Sequence, residues 1–190
     1  MIILVNGPSQ CGKSTAIEWM TKLISRSTEY ALSSPLKRGV TSIFNIDGNT
    51  MTWFKYNPDT EAGRLHGISW RQAQINLWIH LSNIYGDSIL TDLAIKKFDK
   101  ELSKTYKHII VDCGRQVDGQ ALMNRYGMNI NVGEGISLLN IERPGYDFND
   151  YREWVRLDCT RSEWLNNQYD LELYEAQIKK VLKKWKLIDE

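Results

Sequence analysis

The chain has 190 residues, 42% of them hydrophobic, which suits one domain with a buried core and leaves room for a small insertion. Its 24 Lys and Arg against 23 Asp and Glu give a net charge of +1, so the whole-chain field marks no dedicated nucleic-acid binder and any such contact would be local. Three cysteines without a C-x-x-C spacing argue against a disulfide framework and a zinc site, and imply a reducing, cytoplasmic setting. Residues 1–5 are too short for a signal segment and no apolar run reaches the length of a membrane span, so no membrane partner is expected.

In chain order, the apolar run Met1-Ile2-Ile3-Leu4-Val5 reads as a strand and leads into Gly7-Pro8-Ser9-Gln10-Cys11-Gly12-Lys13-Ser14-Thr15. This fits G-x-x-x-x-G-K-[ST], in which glycines let the backbone wrap phosphate oxygens and the following helix presents its positive end. In that pattern Lys13 reaches the β and γ phosphates and the Ser14 hydroxyl sits on Mg²⁺. Residues 14–26 then place Ile17, Met20, Leu23 and Ile24 on one helix face, and 28–33 read as a second strand. Pro35 suits a first helical turn with Ser34 as its cap, and the helix runs on over 36–46. Lys37 and Arg38 at its start either face the crevice at the strand ends or form a solvated basic turn.

Residues 47–67 lose periodicity and are expected to be irregular, with Trp53 and Phe54 either stacking on a base or anchoring the loop. Ser69 caps a helix reaching about Tyr85, with Trp70, Ala73, Leu77, Leu81 and Ile84 at core spacing, His80 among apolar neighbours, and Arg71 in its first turn. A cation there opposes the helix dipole, so it points to an anion more than to stability. A helix over 87–102 carries a solvated lysine face. His108-Ile109-Ile110-Val111-Asp112 has the run of a buried parallel strand, and places Asp112 at its carboxyl tip with Arg115 three residues on, within reach of a transferred phosphoryl group. A helix over 116–125, a loop over 127–135 and a strand over 136–142 follow. Residues 147–158 place Arg152 and Arg156 four apart on a helix face, either as a lid that clamps phosphates or as a surface helix pairing with Glu153 and Asp158. A final helix spans 171–187, with Leu173, Tyr174, Ile178, Val181 and Trp185 facing inward.

Alternating strands and helices with a phosphate loop after the first strand predict a three-layer α/β/α fold on a parallel sheet. The blocks Tyr30-Ala31-Leu32-Ser33-Ser34-Pro35-Leu36-Lys37, Ser69-Trp70-Arg71-Gln72, Ile110-Val111-Asp112-Cys113-Gly114-Arg115-Gln116 and Ile141-Glu142-Arg143-Pro144-Gly145 occur in an order that resembles the phage deoxynucleoside monophosphate kinases, within the nucleoside monophosphate kinase family. The resemblance implies one P-loop kinase domain with mobile acceptor and lid segments, at about 35–105 and 144–162. It further implies ATP and Mg²⁺ as cofactors. Gly7, Ser9, Gln10, Cys11, Gly12, Lys13, Ser14 and Thr15 would wrap ATP, helped by Arg143 and Arg152, with Ser14 and Asp112 at the metal. Lys13, Asp112 and Arg115 would serve the transfer. Ser33, Lys37, Arg38, Arg71 and Trp53 would hold the acceptor.

A phosphate acceptor is already ionised, whereas an alcohol acceptor benefits from a carboxylate base, and Ser33-Ser34-Pro35 stands where small-alcohol kinases resemble one another in carrying that base. A deoxynucleoside monophosphate acceptor is therefore expected. Two alternatives stand beside it: a related phage P-loop kinase acting on the hydroxymethyl group of 5-hydroxymethyluracil in DNA, and a non-kinase nucleotide switch. The second lacks the Asn-Lys-x-Asp guanine signature.

Overall fold

Every side chain of Ile2–Asn6 (β1) is buried, which a strand achieves only when covered on both faces. In the structure, a computed structural model describing residues 1–57, 64–65, 67–104, 106–127 and 135–189, β1 lies at the centre of a five-stranded sheet. At 48, 52, 55, 56, 64, 65, 103 and 104 the description covers the backbone alone. The elements in order are β1, α1 (Lys13–Leu23), β2 (Ser27–Ala31), α2 (Ser34–Ile43), α3 (Gly48–Tyr56), β3 (Arg64–Leu65), β4 (Ile68–Ser69), α4 (Trp70–Tyr85), α5 (Ile89–Lys104), β5 (His108–Asp112), α6 (Gln116–Tyr126), β6 (Ile136–Glu142), β7 (Arg161–Asn166) and α7 (Leu171–Lys184). The sheet order is β2-β5-β1-β6-β7, with every pairing parallel.

The period-two alternation of β1 divides the core. Ile3 and Val5 join Met20 of α1 and Tyr174, Ile178 and Leu182 of α7 on one face. Ile2 and Leu4 join Phe98 of α5, Leu122 of α6 and Val155 on the other. Helices on both faces of a parallel sheet are the three-layer α/β arrangement expected, and the bounds of β5 and β6 are those expected.

The chain divides into two compact units, Met1–Leu32 with Thr91–Glu190 and the inserted Ser33–Leu90. The second has its own small core of Val40, Phe54, Trp70 and Ala73, with Phe54 and Trp70 stacked at 6.2 Å between ring centroids. The second unit ends at Leu90, and α5 supplies Ala94 and Phe98 to the main core.

Several local expectations are corrected. Within 47–67, Gly48–Tyr56 is helical because the Asp47 carboxylate accepts from Thr50 N at 2.8 Å and caps it. Ser34 lies inside α2, and Ser33 holds the N-cap position without a side-chain cap bond. Ser69 caps α4 as expected, accepting from Gln72 N. His80 is exposed, as are Ile84 and, in α7, Leu173 at 45%. Residues 147–158 are not helical, and β7 follows where no strand was expected. The loop expected over 127–135 lies mostly outside the described residues.

Candidate nucleotide-binding site

β1 delivers the loop at the carboxyl edge of the sheet, where ligands of parallel α/β sheets sit. Gly7 has φ +153°, and a Cβ there would collide with the Ile141 carbonyl oxygen and lie 2.7 Å from Cys11 Sγ. Gly12 has φ +108°, and a Cβ there would lie 2.5 Å from Asn167 Nδ2. Both loop glycines therefore meet a conformational and a steric demand at once. Gln10 adopts φ +64°, a conformation that costs a non-glycine residue roughly 1–3 kcal/mol and that functional loops tolerate. Gly12 is the N-cap of α1 and supplies no side-chain cap bond, so the first-turn N–H groups take no partner from the cap residue's side chain.

Lys13 is 8% exposed, and its Nζ donates to Gly7 O at 2.7 Å and Pro8 O at 2.6 Å. A buried ammonium held by neutral carbonyls is poised to exchange them for an anionic oxygen. Ser14 is exposed and Thr15 and Ser9 are half-buried. Burial pushes the Cys11 thiol up, with Asp112 adding to the rise against the opposing charge of Lys13, so Cys11 stays a thiol.

Asp112 ends β5 in register with Val5 of β1 and Ala31 of β2, which puts it at the same sheet edge as the loop. Asn6, the polar end of an apolar strand, ties that edge together. Its Nδ2 donates to Cys113 O at 2.9 Å and Glu153 O at 3.1 Å, and its Oδ1 accepts from Val155 N at 3.1 Å. Asn140 Nδ2 donates to Val155 O, and Gln116 pairs with both the N and O of Arg156. Residues 152–157 thus form an extended strap over the sheet, with Val155 0% exposed. One core side chain and side-chain amides bonded to its backbone pack this stretch on the sheet.

The strap carries Arg152. Its backbone N and Nε are held by Asp150, its stem lies against Gly114, and its Nη2 is buried without a hydrogen-bond partner. Burial lowers its affinity for the proton while the charges of Asp112, Tyr151 and Cys11 raise it, so the guanidinium stands within electrostatic reach of both the loop and the strand tip. Arg156 is exposed and its backbone is engaged by Gln116.

Two of the expected site arginines have partners within the protein. Arg115 is 6% exposed and bidentate to Asp118, with Nε and Nη2 each at 2.7 Å, and Thr91 Oγ1 donates to the same carboxylate at 2.7 Å. Its guanidinium is held in a buried pair at the start of α6. Arg143 Nη1 donates to Gln10 O at 3.0 Å, and its guanidinium stacks 3.9 Å from the Tyr169 ring centroid. It grips the loop backbone.

Ser33, Lys37, Arg38, Arg71 and Trp53 all fall in the inserted unit. Lys37 and Ser33 are half-buried there and Arg38 and Arg71 exposed, while Trp53 is 43% exposed with its ring edge-on to Phe54. The side chains of Arg64 and His66 lie outside the described residues.

The central strand, the loop after it and the all-parallel sheet define a P-loop α/β fold. No protein-family profile matches the chain, and none of the curated proteins matches it in sequence. Among solved structures it is similar to the unliganded crystal structure of a sugar kinase from Janibacter sp., at 11% identity and a TM-score of 0.45, over 100% of this chain and 98% of that one.

Proposed function

We propose that the protein is an ATP-dependent kinase that transfers the γ-phosphoryl group to a nucleotide acceptor, a deoxynucleoside monophosphate first among them. The observation that carries this reading is the loop after β1, with two left-handed glycines and a buried Lys13 bonded back onto Gly7 O and Pro8 O. Such a loop receives phosphate oxygens through its amides and through Lys13.

The donor set also suits magnesium. Mg²⁺ in phosphoryl-transfer sites takes most of its ligands from phosphates and water, with one or two protein oxygens, and the exposed Ser14 hydroxyl and the Asp112 carboxylate are of that chemistry. The ion would neutralise charge on the phosphate chain. In the reaction an acceptor phosphate oxygen forms a bond to the γ-phosphorus as the bond to the β–γ bridging oxygen breaks, and ADP leaves with the electron pair. An ionised phosphate acceptor has no proton to lose, so the residues have only to position and neutralise. Lys13 from the loop and Arg152 from the strap supply the positive charge, and Lys37, Arg38 and Arg71 are the acceptor cations of the inserted unit.

Incubation with γ-labelled ATP and a panel of deoxynucleoside monophosphates tests this. Label is expected in a nucleoside diphosphate, and Lys13→Ala is expected to lower the rate by about 10²–10³-fold or more. Label appearing only in hydroxymethyluracil-containing DNA, or undiminished transfer by Lys13→Ala, overturns the reading.

A further inference from the structure

Three consecutive carbonyls of the phosphate loop are each held by a side chain from the far end of the sequence. Arg143 Nη1 donates to Gln10 O at 3.0 Å, Asn167 Nδ2 to Cys11 O at 2.9 Å, and Tyr174 Oη to Gly12 O at 3.2 Å. A trans peptide unit is planar, with its C=O and the next residue's N–H pointing opposite ways. Holding the carbonyls of residues 10, 11 and 12 therefore fixes the outward side of the peptides whose inward side carries the N–H groups of Cys11, Gly12 and Lys13. Those are the donors a phosphate cradle uses.

We infer that Arg143, Asn167 and Tyr174 are positioning residues that preorganise the loop amides for polyphosphate, an inference that rests on the nucleotide-binding reading of the loop.

Each of the three is itself anchored. Asn167 N donates to Glu142 O at the end of β6, and Asn167 Oδ1 accepts from Tyr169 N. Arg143 lies between two aromatic rings, 3.9 Å from the centroid of Tyr169 and 5.2 Å from that of Tyr146, while Tyr169 Oη donates to Pro144 O. Tyr174 is buried beside Trp19 of α1, and burial raises its phenol well above the ordinary range, which keeps it a donor. The steric side of the same device is Gly12, where any Cβ would meet both Asn167 and Tyr174. Donors just past the ends of β6 and β7 and on α7 thus transmit the rigidity of the sheet to a loop whose own backbone is strained at Gln10.

The test uses the full chain with Arg143→Ala, Asn167→Ala, Asn167→Asp and Tyr174→Phe. Two readings are taken: amide hydrogen exchange at Cys11, Gly12 and Lys13 without nucleotide, and binding of ATP and of inorganic tripolyphosphate. The expected result is faster exchange confined to those amides. Affinity for ATP and tripolyphosphate should fall by a shared factor, about 10-fold for Asn167→Ala and Asn167→Asp and smaller for Tyr174→Phe. Gly12 O also accepts from Ala16 N at 3.0 Å, so Tyr174→Phe is the mildest of the set, and where an Asn167 variant does not fold, Arg143→Ala, which releases Gln10 O, carries the test. Unchanged exchange at the three amides, or ATP and tripolyphosphate affinities equal to wild type, overturns the inference. Wild-type protein that binds neither ligand, while the variants still loosen the three amides, sinks the nucleotide reading and leaves the mechanical coupling standing.

Discussion

Lys13 Nζ donates to the carbonyls of Gly7 and Pro8, and a bond to a phosphate oxygen would be charge-assisted on both sides. Arg152 is the complementary case, fixed along its stem and carrying one unpartnered donor. Arg152→Ala is expected to lower turnover by about 10³-fold while ATP affinity changes far less, as steady-state kinetics and equilibrium binding would report. Gly114→Ala probes the same residue without touching its charge, because the added methyl would lie 2.8 Å from Arg152 Cδ and displace the stem. It should reproduce part of the turnover loss at unchanged net charge.

His108 behaves differently. Burial, the N-terminal ammonium, Lys107 and Arg161 lower its pKa to about 4. An unfolded chain protonates this group near 6.5, so between that pH and about 4 the unfolded state binds the extra proton and stability falls as pH drops. Above about 6.5 both states are neutral and the contribution is flat. Urea midpoints at pH 7 and pH 4.5 should converge in His108→Gln relative to wild type.

At the scale of elements, the 152–157 strap explains why the expected helix fails. Arg152 and Arg156 are four apart, but the residues that carry the packing, Val155 and Leu157, are two apart and both join the sheet-face cluster with Leu122. Period two is the spacing of an extended chain, and it outweighs a charge pair worth a few tenths of a kcal/mol. Val155→Ala should cost about 1–3 kcal/mol in chemical denaturation, within the range for truncating a fully buried side chain. The strand β7 has no apolar run, because Arg161, Ser162 and Glu163 make its first half polar and the strand is half-exposed, as an edge strand is allowed to be.

Arg115 and Asp118 pose a related problem of legibility. Their i,i+3 spacing at the start of α6 is visible in the sequence, but the burial that leaves only 8% and 3% of their side chains exposed is not. Breaking such a pair from one side strands a buried charge. Asp118→Ala is therefore expected to destabilise by about 3–5 kcal/mol, and Arg115→Leu/Asp118→Leu by less, as paired urea titrations would show.

For the whole molecule, two cores of unequal size follow from the division at Leu32 and Leu90. The main unit buries both faces of a five-stranded sheet, whereas the inserted unit's core is built on Val40, Phe54, Trp70 and Ala73. Local opening should therefore be easier in the insertion. Native-state hydrogen exchange is expected to report lower opening free energies for α2 and α4 than for β1 and β5, and Trp70→Ala should accelerate exchange in the former alone.

Amino-acid order by itself determined the features that depend on neighbours along the chain: the glycine and lysine spacing of the loop, the continuous apolar runs of β1, β5 and β6, and the Ser69 cap. Backbone conformation, side-chain periodicity and capping act over one to four residues, so they are readable from a short window. Only the tertiary structure decided which partner each long polar side chain takes. Arg143 reaches back 133 residues to Gln10, Asn167 reaches 156 to Cys11 and Tyr174 reaches 162 to Gly12. Such choices follow from which donors and acceptors the folded sheet brings within about 3 Å, a distance condition that no local pattern encodes.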